Sequence, residues 1–549
     1  MSTDKKIQKL WQQIKNNPYL EQFIDKFLSD HDDSVQIYLV GGCVRDALMN
    51  RQCKDFDLVI AGLTRQQLAQ YLDQQSGKSV DVVSRNFGVF KYKPAGSQEV
   101  IDIALPRQDV YSQYGLGHKD IEVKIDKVSI EDDLSRRDFT INAMAVNLRT
   151  QQLLDLFDGV GDIKQKTIRA VGQPRLRMVD EDPTRMVRAI RFAVSLGFAI
   201  ESNTLNCIKQ NRSEINRQFT SPETGETMER VAREVIAAEF IKGFDKDPAG
   251  MIELLDETGV YQNIIDPKLV KIWEGLKTTD QPANFHYEGN VWKHTILALR
   301  NIKMLKDNQL GLPKTACINL KLAVFFHDWG KVTTIEITPD GQFSYYNHPA
   351  ESAKMARQFI NYMQLFSPFP KNHRLAVKSD VVAWLAHNHM FPNNTPAHEL
   401  RDRTVIKYYL EKKRLGRKLL QIGYIDACSS IKAKGPQDFT GIKRSIKKIE
   451  EVSARLDEIN RNKKIYPLTG KQIKSIMTKI IKEKTVEASA IGYINDILNN
   501  PKGSPAIGEL KELILEDALV NPSQYKGQEK LIPARKLIEN FFRVASEKL

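Results

Sequence analysis

Two stretches of this 549-residue chain combine side chains and spacings that can do chemistry. In the first, LVGGCVRDALMNRQCKDFDLVI, Gly41-Gly42 stands between a strand-like run and a helix-like run, and Asp55-Phe56-Asp57 follows. Glycines let backbone amides approach a triphosphate closely, and a helix start adds a favourable partial charge. Arg45 supplements it. On a strand, residues i and i+2 share a face, so Asp55 and Asp57 are expected to converge beside the phosphates. Paired carboxylates repel unless a cation joins them. Mg²⁺ takes oxygen ligands and shares them with substrate phosphates, and two such ions can activate an attacking hydroxyl and stabilise leaving pyrophosphate. Alone, the DxD pattern fits a solvated strand edge better. The upstream Gly-Gly and the strand–helix–strand context reverse that preference.

The second stretch is a series of histidines and aspartates. LAVFFHDWGK places His327 beside Asp328 after an apolar helical run. His294 lies upstream in WKHTILAL; His348, His387, His389 and Asp426 lie downstream. A lone histidine is usually a packed or surface residue. The order H, HD, H, H, D on helices instead fits a bundle that points these groups at a shared metal.

The elements that must hold these groups divide the chain. Residues 1–34 read as a helical extension, with Leu10, Trp11, Ile14, Phe23, Ile24, Phe27 and Leu28 at helical spacing. From residue 35 to 160 short strand patterns dominate: VQIYLV, FDLVIAG, SVDVVSRNFGVFKYKP and EVIDIALP, with LTRQQLAQYLDQQ as a helix. Beyond DLFDGVGDIKQKTIRAVG the strands nearly stop, and residues 161–284 read as helical. Eight of the ten histidines fall between His286 and His398, which marks residues 285–430 as a third segment. Residues 431–549 are Lys-rich and helical, interrupted at NNPKGSPAIG. The fold class is therefore α+β, an α/β head followed by helical segments.

The net charge of +13 and pI of about 9.2 suit a polyanionic partner, because Lys and Arg displace counterions from phosphates. The five cysteines are scattered and form no CxxC pair, which argues against a disulfide framework or a cysteine zinc site. No apolar run is long enough to span a bilayer, and the charged start lacks the apolar stretch of a secretory signal. A cytoplasmic location and no membrane partner are expected.

YLVGGCVRDALMNRQCKDFDLVI resembles the head of the class II tRNA nucleotidyltransferases (CCA-adding enzymes) and the related bacterial poly(A) polymerases. SIEDDLSRRDFTINAMAVNL resembles their ribose-reading motif, LLDLFDGVGDIKQKTIRAVG the link from head to neck, and EDPTRMVRAIRFAVSLGF the base-reading motif. The four motifs stand in the family's order over residues 36–270. The resemblance implies a polymerase-β-like head, with Mg²⁺ held by Asp55 and Asp57 and with Asp102 as a third catalytic carboxylate. It implies nucleotide contacts from Gly41, Gly42, Arg45, Arg136, Arg137, Asp138, Asn142, Asp182, Arg185 and Arg188. Read from the residues alone, RRD fits a surface ion pair.

EDPTR has its own physics. Pro183 fits the first helical position and makes Asp182 the expected N-cap, with Arg185 close enough to meet it. In the context of the resemblance, such a pair can hydrogen-bond the Watson–Crick edges of C and A without a template. The competing reading is a capping aspartate with an intrahelical ion pair.

The histidine segment resembles an HD-type phosphohydrolase domain, which many bacterial CCA-adding enzymes carry after the neck. His294, His327, Asp328 and Asp426 match its four-ligand core. His348 and either His387 or His389 match the extra ligands of two-metal versions, with spacing leaving that choice open. The metal implied there is divalent, one of Mg, Mn, Ni, Co or Fe. YPLTGKQIKSIM resembles a segment that follows this domain.

The leading expectation is addition of CCA to tRNA from CTP and ATP, with an HD phosphohydrolase activity. Poly(A) addition, or CC- or A-addition alone, is the close alternative, and the HD fusion favours CCA. The alternative of another class is an HD phosphohydrolase whose head merely binds nucleotide or RNA.

Overall fold

The computed structural model describes residues 2–546 apart from 54, 77–80, 85–87, 95–99, 112–120, 126, 221–224, 285, 340–342, 395–399, 412, 462–467, 500–503 and 526–529. Residues 79–80 and 85–87 of the SVDVVSRNF strand reading, His398, residues 466–467 of YPLTGKQIKSIM and residues 500–503 of the NNPKGSPAIG interruption lie outside the described residues. The chain divides into two compact units. One comprises Met1–Thr278, Cys317–Leu322 and Lys354–Asp380; the other comprises Thr279–Ala316, Ala323–Ala353 and Val381–Leu549.

The first unit opens with helices α1 (Thr3–Lys15) and α2 (Pro18–Asp30), each started by a capping side chain, Ser2 and Asn17 respectively. Ile7, Leu10 and Ile14 of α1 and Leu20, Phe23, Ile24 and Phe27 of α2 are buried, as the helical spacing requires. A seven-stranded sheet follows, in the order β3-β4-β5-β2-β1-β8-β9. Its strands are β1 (Gln36–Val40), β2 (Asp57–Ala61), β3 (Asp81–Ser84), β4 (Val89–Tyr92), β5 (Ile101–Ala104), β8 (Met144–Asn147) and β9 (Leu153–Asp155). Strands β6 (Gln108–Tyr111) and β7 (Ile121–Lys124) form a separate antiparallel hairpin.

Within this sheet, among the described residues, only β2 and β5 pair in parallel, and that pairing sets Asp57 opposite Asp102. Helix α3 (Gly42–Leu48) follows β1 and buries Cys43, Val44, Ala47 and Leu48; helix α4 (Arg65–Ser76) follows β2. Helix α5 (Ile130–Ser135) is set by a reciprocal capping box between Ser129 and Asp132. Its Ile130 and Leu134 pack with Val40, Val59 and Ala145, which fixes the end of α5 against the central strands.

Helix α6 (Gly159–Gln165) leads to α7 (Thr184–Leu196), whose buried face carries Met186, Val187, Ala189, Ile190, Phe192 and Ala193. Gly197 ends α7 in the left-handed conformation. A short π-helical segment, Leu176–Glu181, precedes α7.

The second unit is predominantly helical. The helices Val291–Asn301 and Lys413–Ser429 pack together, and the short helix Phe391–Asn394 contacts both Lys413–Ser429 and Thr440–Arg461. The helices Gly470–Glu483, Ala488–Asn499, Pro505–Val520 and Leu531–Ser546 enclose a separate apolar cluster around Ile473, Met477, Leu510, Ile514 and Ile538. Among the described residues, no helix is long and apolar enough to cross a membrane. All five cysteines are free.

Candidate active site and metal centre

In the first unit, a cavity of about 520 Å³ gathers residues from six stretches of sequence. Gly41, Gly42 and Arg45 enter from the β1–α3 turn, Asp57 from β2, Arg136, Arg137, Asp138 and Asn142 from the segment after α5, and Asp182, Arg185 and Arg188 from α7 and its approach. Gly41 adopts φ +70°, and a Cβ there would sit 2.8 Å from Arg137 Nη1. The left-handed backbone favours glycine, and a side chain there would also have to displace the Arg137 guanidinium. The Gly41 N–H donates to Met144 O at 3.2 Å, so this residue contributes space and backbone conformation more than a phosphate-binding amide.

The DxD geometry differs from the expected strand pair. β2 begins at Asp57, and Asp55 lies ahead of it. The carboxylates converge through pairing between strands: Asp57 stands in register with Asp102 of β5. Asp102 also lies 3.8 Å from Lys91. The surrounding protein and the Asp102 charge, with a smaller contribution from Asp55, push the Asp57 pKa above its usual value, opposed by Arg137. Mutually repelling oxygen ligands beside a cavity are the donor set that a hard divalent cation neutralises.

The cations of the cavity are tightly tethered. Asp133, buried on α5, bridges Arg136 at 2.5 Å and Arg137 at 2.9 Å. Arg136 also reaches Asp109 of β6 at 3.1 Å, and its Nε donates to Arg107 O at 3.0 Å. Asp138 accepts from Phe139 N at 2.8 Å, Asn142 Nδ2 at 3.0 Å and Arg188 Nε at 2.5 Å. Burial opposes ionisation of Asp138, but Arg188, Asn142 and Arg185 outweigh it and hold its pKa at about 2. Arg45 donates to Asn142 Oδ1 at 2.8 Å, linking the glycine turn to the RRDFTIN segment.

The start of α7 also departs from expectation. The helix begins at Thr184, with Pro183 at the N-cap and no capping side chain there. Asp182 sits one residue earlier, and its Oδ1 accepts from Thr184 N at 2.9 Å and Thr184 Oγ1 at 2.6 Å. The aspartate still satisfies a helix-start donor, but as a local turn one position earlier than expected. Arg185 forms its carboxylate pair with Glu181 at 2.6 Å, and its Nη2 donates to Arg136 O at 3.0 Å. Glu181 and Asp133 lie inside quoted motifs but carry no assigned role there, and Asp109 lies outside every motif, where nothing distinguishes it from an ordinary surface acid.

In the second unit, His294, His327, Asp328, His348, His389 and Asp426 converge. His294, His327 and Asp426 form one group of ligand atoms; Asp328, His348 and His389 form another. Asp328 joins them. Its Oδ2 lies 3.7 Å from His294 Nε2 and 3.4 Å from His327 Nε2; its Oδ1 lies 3.4 Å from His348 Nε2 and 3.5 Å from His389 Nε2. His389 is buried in the cluster, whereas His387 is exposed and stands apart from it.

The imidazole tautomers make the case for a metal. The Nδ1 atoms of His327, His348 and His389 bond to the carbonyl oxygens of Val324, Tyr345 and Ala386 at 2.7, 2.8 and 2.7 Å. A carbonyl only accepts, so each Nδ1 carries a proton, and in the neutral ring each Nε2 then presents a lone pair. Those lone pairs face carboxylate oxygens, and the Nε2 atoms of His348 and His389 are buried with no hydrogen-bond partner. Acceptors buried against acceptors fit a bound cation.

Burial holds the His327 pKa down to about 4, while Asp426 and Glu288 outweigh burial and raise His294 to about 9. Glu288, also missed in the sequence, orients His294 by accepting from its Nδ1 at 2.7 Å. Lys331 of the quoted HDWGK run is buried 2.7 Å from Asp328 Oδ2.

Residues 37–169 match the family described as Poly A polymerase head domain. The chain is 30% identical over 380 residues to the Multifunctional CCA protein of Pasteurella multocida, covering 68% of this chain and 78% of that one. It is 32% identical over 326 residues to the Multifunctional CCA protein of Neisseria gonorrhoeae, covering 59% and 68% respectively. The crystal structure of Bacillus stearothermophilus CCA-adding enzyme in complex with CTP aligns with a TM-score of 0.55 at 17% identity, covering 100% of both chains, a likeness of fold. With more than three quarters of the Pasteurella relative covered, the chain belongs to the family of the multifunctional CCA proteins.

Proposed function

We propose that the chain adds CCA to the 3′ end of tRNA, with CTP and ATP as donors. The observation that carries this reading is the single cavity lined by Gly41, Asp57, the Arg136–Asn142 segment and the start of α7. Asp55, Asp57 and Asp102 would hold Mg²⁺. When bound, Mg²⁺ supplies charge neutralisation for the hydroxyl that attacks the α-phosphate and for the departing pyrophosphate. The Gly41-Gly42 turn leaves room for the triphosphate, and Arg45 and Arg137 offer it positive charge. Asp138 and Asn142 offer acceptor and donor atoms to a ribose hydroxyl. Asp182, Arg185 and Arg188 face the base. A tRNA substrate supports a cytoplasmic location, and the net charge of +13 suits a polyanion.

Incubating the protein with tRNA lacking CCA, supplying each labelled NTP singly and together, and sequencing the products tests this reading. Ordered CCA ends support it. A-only tails would support the poly(A) alternative.

A second activity rests on the buried histidine–aspartate cluster. His294, His327, Asp328, His348, His389 and Asp426 would hold one or two divalent ions, and the site would hydrolyse phosphoesters such as 2′,3′-cyclic phosphates on RNA ends. A bound ion there activates water. Metal analysis of the purified protein and of its Asp328→Ala variant tests the ligand set.

A further inference from the structure

The histidine–aspartate cluster opens into a cavity of about 530 Å³, and one wall of that cavity comes from beyond the HD-like segment. Asp328, Lys331 and Asp426 line one side. Thr440, Gly441 and Arg444, from the first turns of the Thr440–Arg461 helix, line the other. This helix belongs to the basic region whose role the sequence left open.

Packing fixes the helix in place. Gly441 lies so close to the backbone of Asn393 that a Cβ would collide with it. Ser445 is buried, and its Oγ donates to Pro392 O at 3.2 Å. The Phe391–Asn394 helix is held in turn by Asn393 Nδ2, which donates to Gly423 O at 3.0 Å on the helix that carries Asp426. Arg444 lies three residues from Gly441, on the same side of its helix, and lines the cavity. Its Nε is buried with no protein acceptor. The neighbouring cations are already engaged: Lys331 bonds to Asp328 and Gln281, both at 2.7 Å, and Lys432 to Asp438 at 3.3 Å.

We propose that Arg444 is the phosphoryl-anchoring residue of this cavity, its guanidinium binding the non-bridging oxygens of a phosphoester held against the metal cluster. A guanidinium presents parallel donors that match two phosphoryl oxygens, and a buried unpartnered Nε gains an acceptor when they bind. The inference rests on the reading of the cluster as a divalent-metal site.

The test uses the full-length protein loaded with Mn²⁺ and its Arg444→Gln and Arg444→Lys variants. Inorganic phosphate is titrated calorimetrically, its inhibition of p-nitrophenyl phosphate hydrolysis is measured, and bound Mn²⁺ is counted. Arg444→Gln should keep its Mn²⁺ and melting temperature, weaken phosphate by about tenfold, raise KM more than it lowers kcat, and be partly rescued by Lys. Unchanged phosphate affinity and KM in Arg444→Gln, at full Mn²⁺ content, overturns the proposal. Failure of the metal reading looks different: wild type would bind no more Mn²⁺ than Asp328→Ala. The phosphate titration without Mn²⁺ then decides the role of Arg444 by itself, a wild-type isotherm in Arg444→Gln refuting it.

Discussion

Asp57 and Asp102 stand opposite each other across the parallel strands β2 and β5, in register, so that the Asp102 charge adds to burial in raising the cost of ionising Asp57. A folding unit gains nothing from that repulsion; a cation-binding site does. Asp57→Asn should lower nucleotide incorporation by roughly 10³-fold, the size of loss seen when a group acting on the transition state is removed. Its melting temperature should hold or rise in the absence of Mg²⁺, because the repulsion is relieved. Incorporation near the wild-type rate would remove Asp57 from the catalytic set.

Asp328 lies between two pairs of histidines, with one carboxylate oxygen facing each. Asp328→Ala should therefore abolish metal retention at the cluster and with it phosphoester hydrolysis, while CCA addition continues. Dialysis against a chelator followed by readdition of Mn²⁺, Ni²⁺, Co²⁺ or Mg²⁺ should restore hydrolysis in the wild type only. Hydrolysis that persists in the variant would move the chemistry away from this cluster.

The residues proposed to face the base separate by their partners. Asp182→Asn keeps an acceptor for Thr184 and should leave the melting temperature nearly unchanged, whereas loss of a cap typically costs about 1 kcal/mol. If Asp182 reads the base, the same variant alters nucleotide choice. Arg185→Ala removes one of the two arginines paired with Glu181, leaving Arg177, and should lose both rate and selectivity, admitting UTP or GTP relative to CTP and ATP. Single-NTP incorporation with unaltered preference in both variants would count against base reading by these residues.

Asp138 links RRDFTIN to α7 through Arg188. Its pKa in the fold, about 2, lies below the ordinary aspartate value, so its ionised form stabilises the native state. That stabilisation, of the order of 2 kcal/mol, is fully present above about pH 4 and is lost as pH falls towards 2. Asp138→Asn should be less stable than the wild type at neutral pH, and the two denaturation midpoints should converge on acidification. A constant difference across that range would assign the effect of the variant to packing.

The sequence by itself determined the elements and the residues that can do chemistry. Helical spacing located α1 and α2, short apolar runs located β1 and β2, and the glycine pair marked the turn where φ +70° favours glycine. These are local properties, set by periodicity and by backbone sterics within a few residues. What only the tertiary structure decided is which faces meet. Asp102 joins Asp57 because β5 pairs with β2, and Arg185 pairs with Glu181, four residues earlier at the end of the π-helical segment. His389 enters the cluster and His387 does not: His387 stands exposed in the last turn of the Ser379–Asn388 helix, whereas His389 follows the helix end, where the chain turns and buries it. Arg444 lies beyond the last histidine and reaches the same cavity because Gly441 permits close packing of two helices. Periodicity encodes a face for each element, whereas side-chain volume and close packing choose the partner of that face, and those act between residues far apart in the chain.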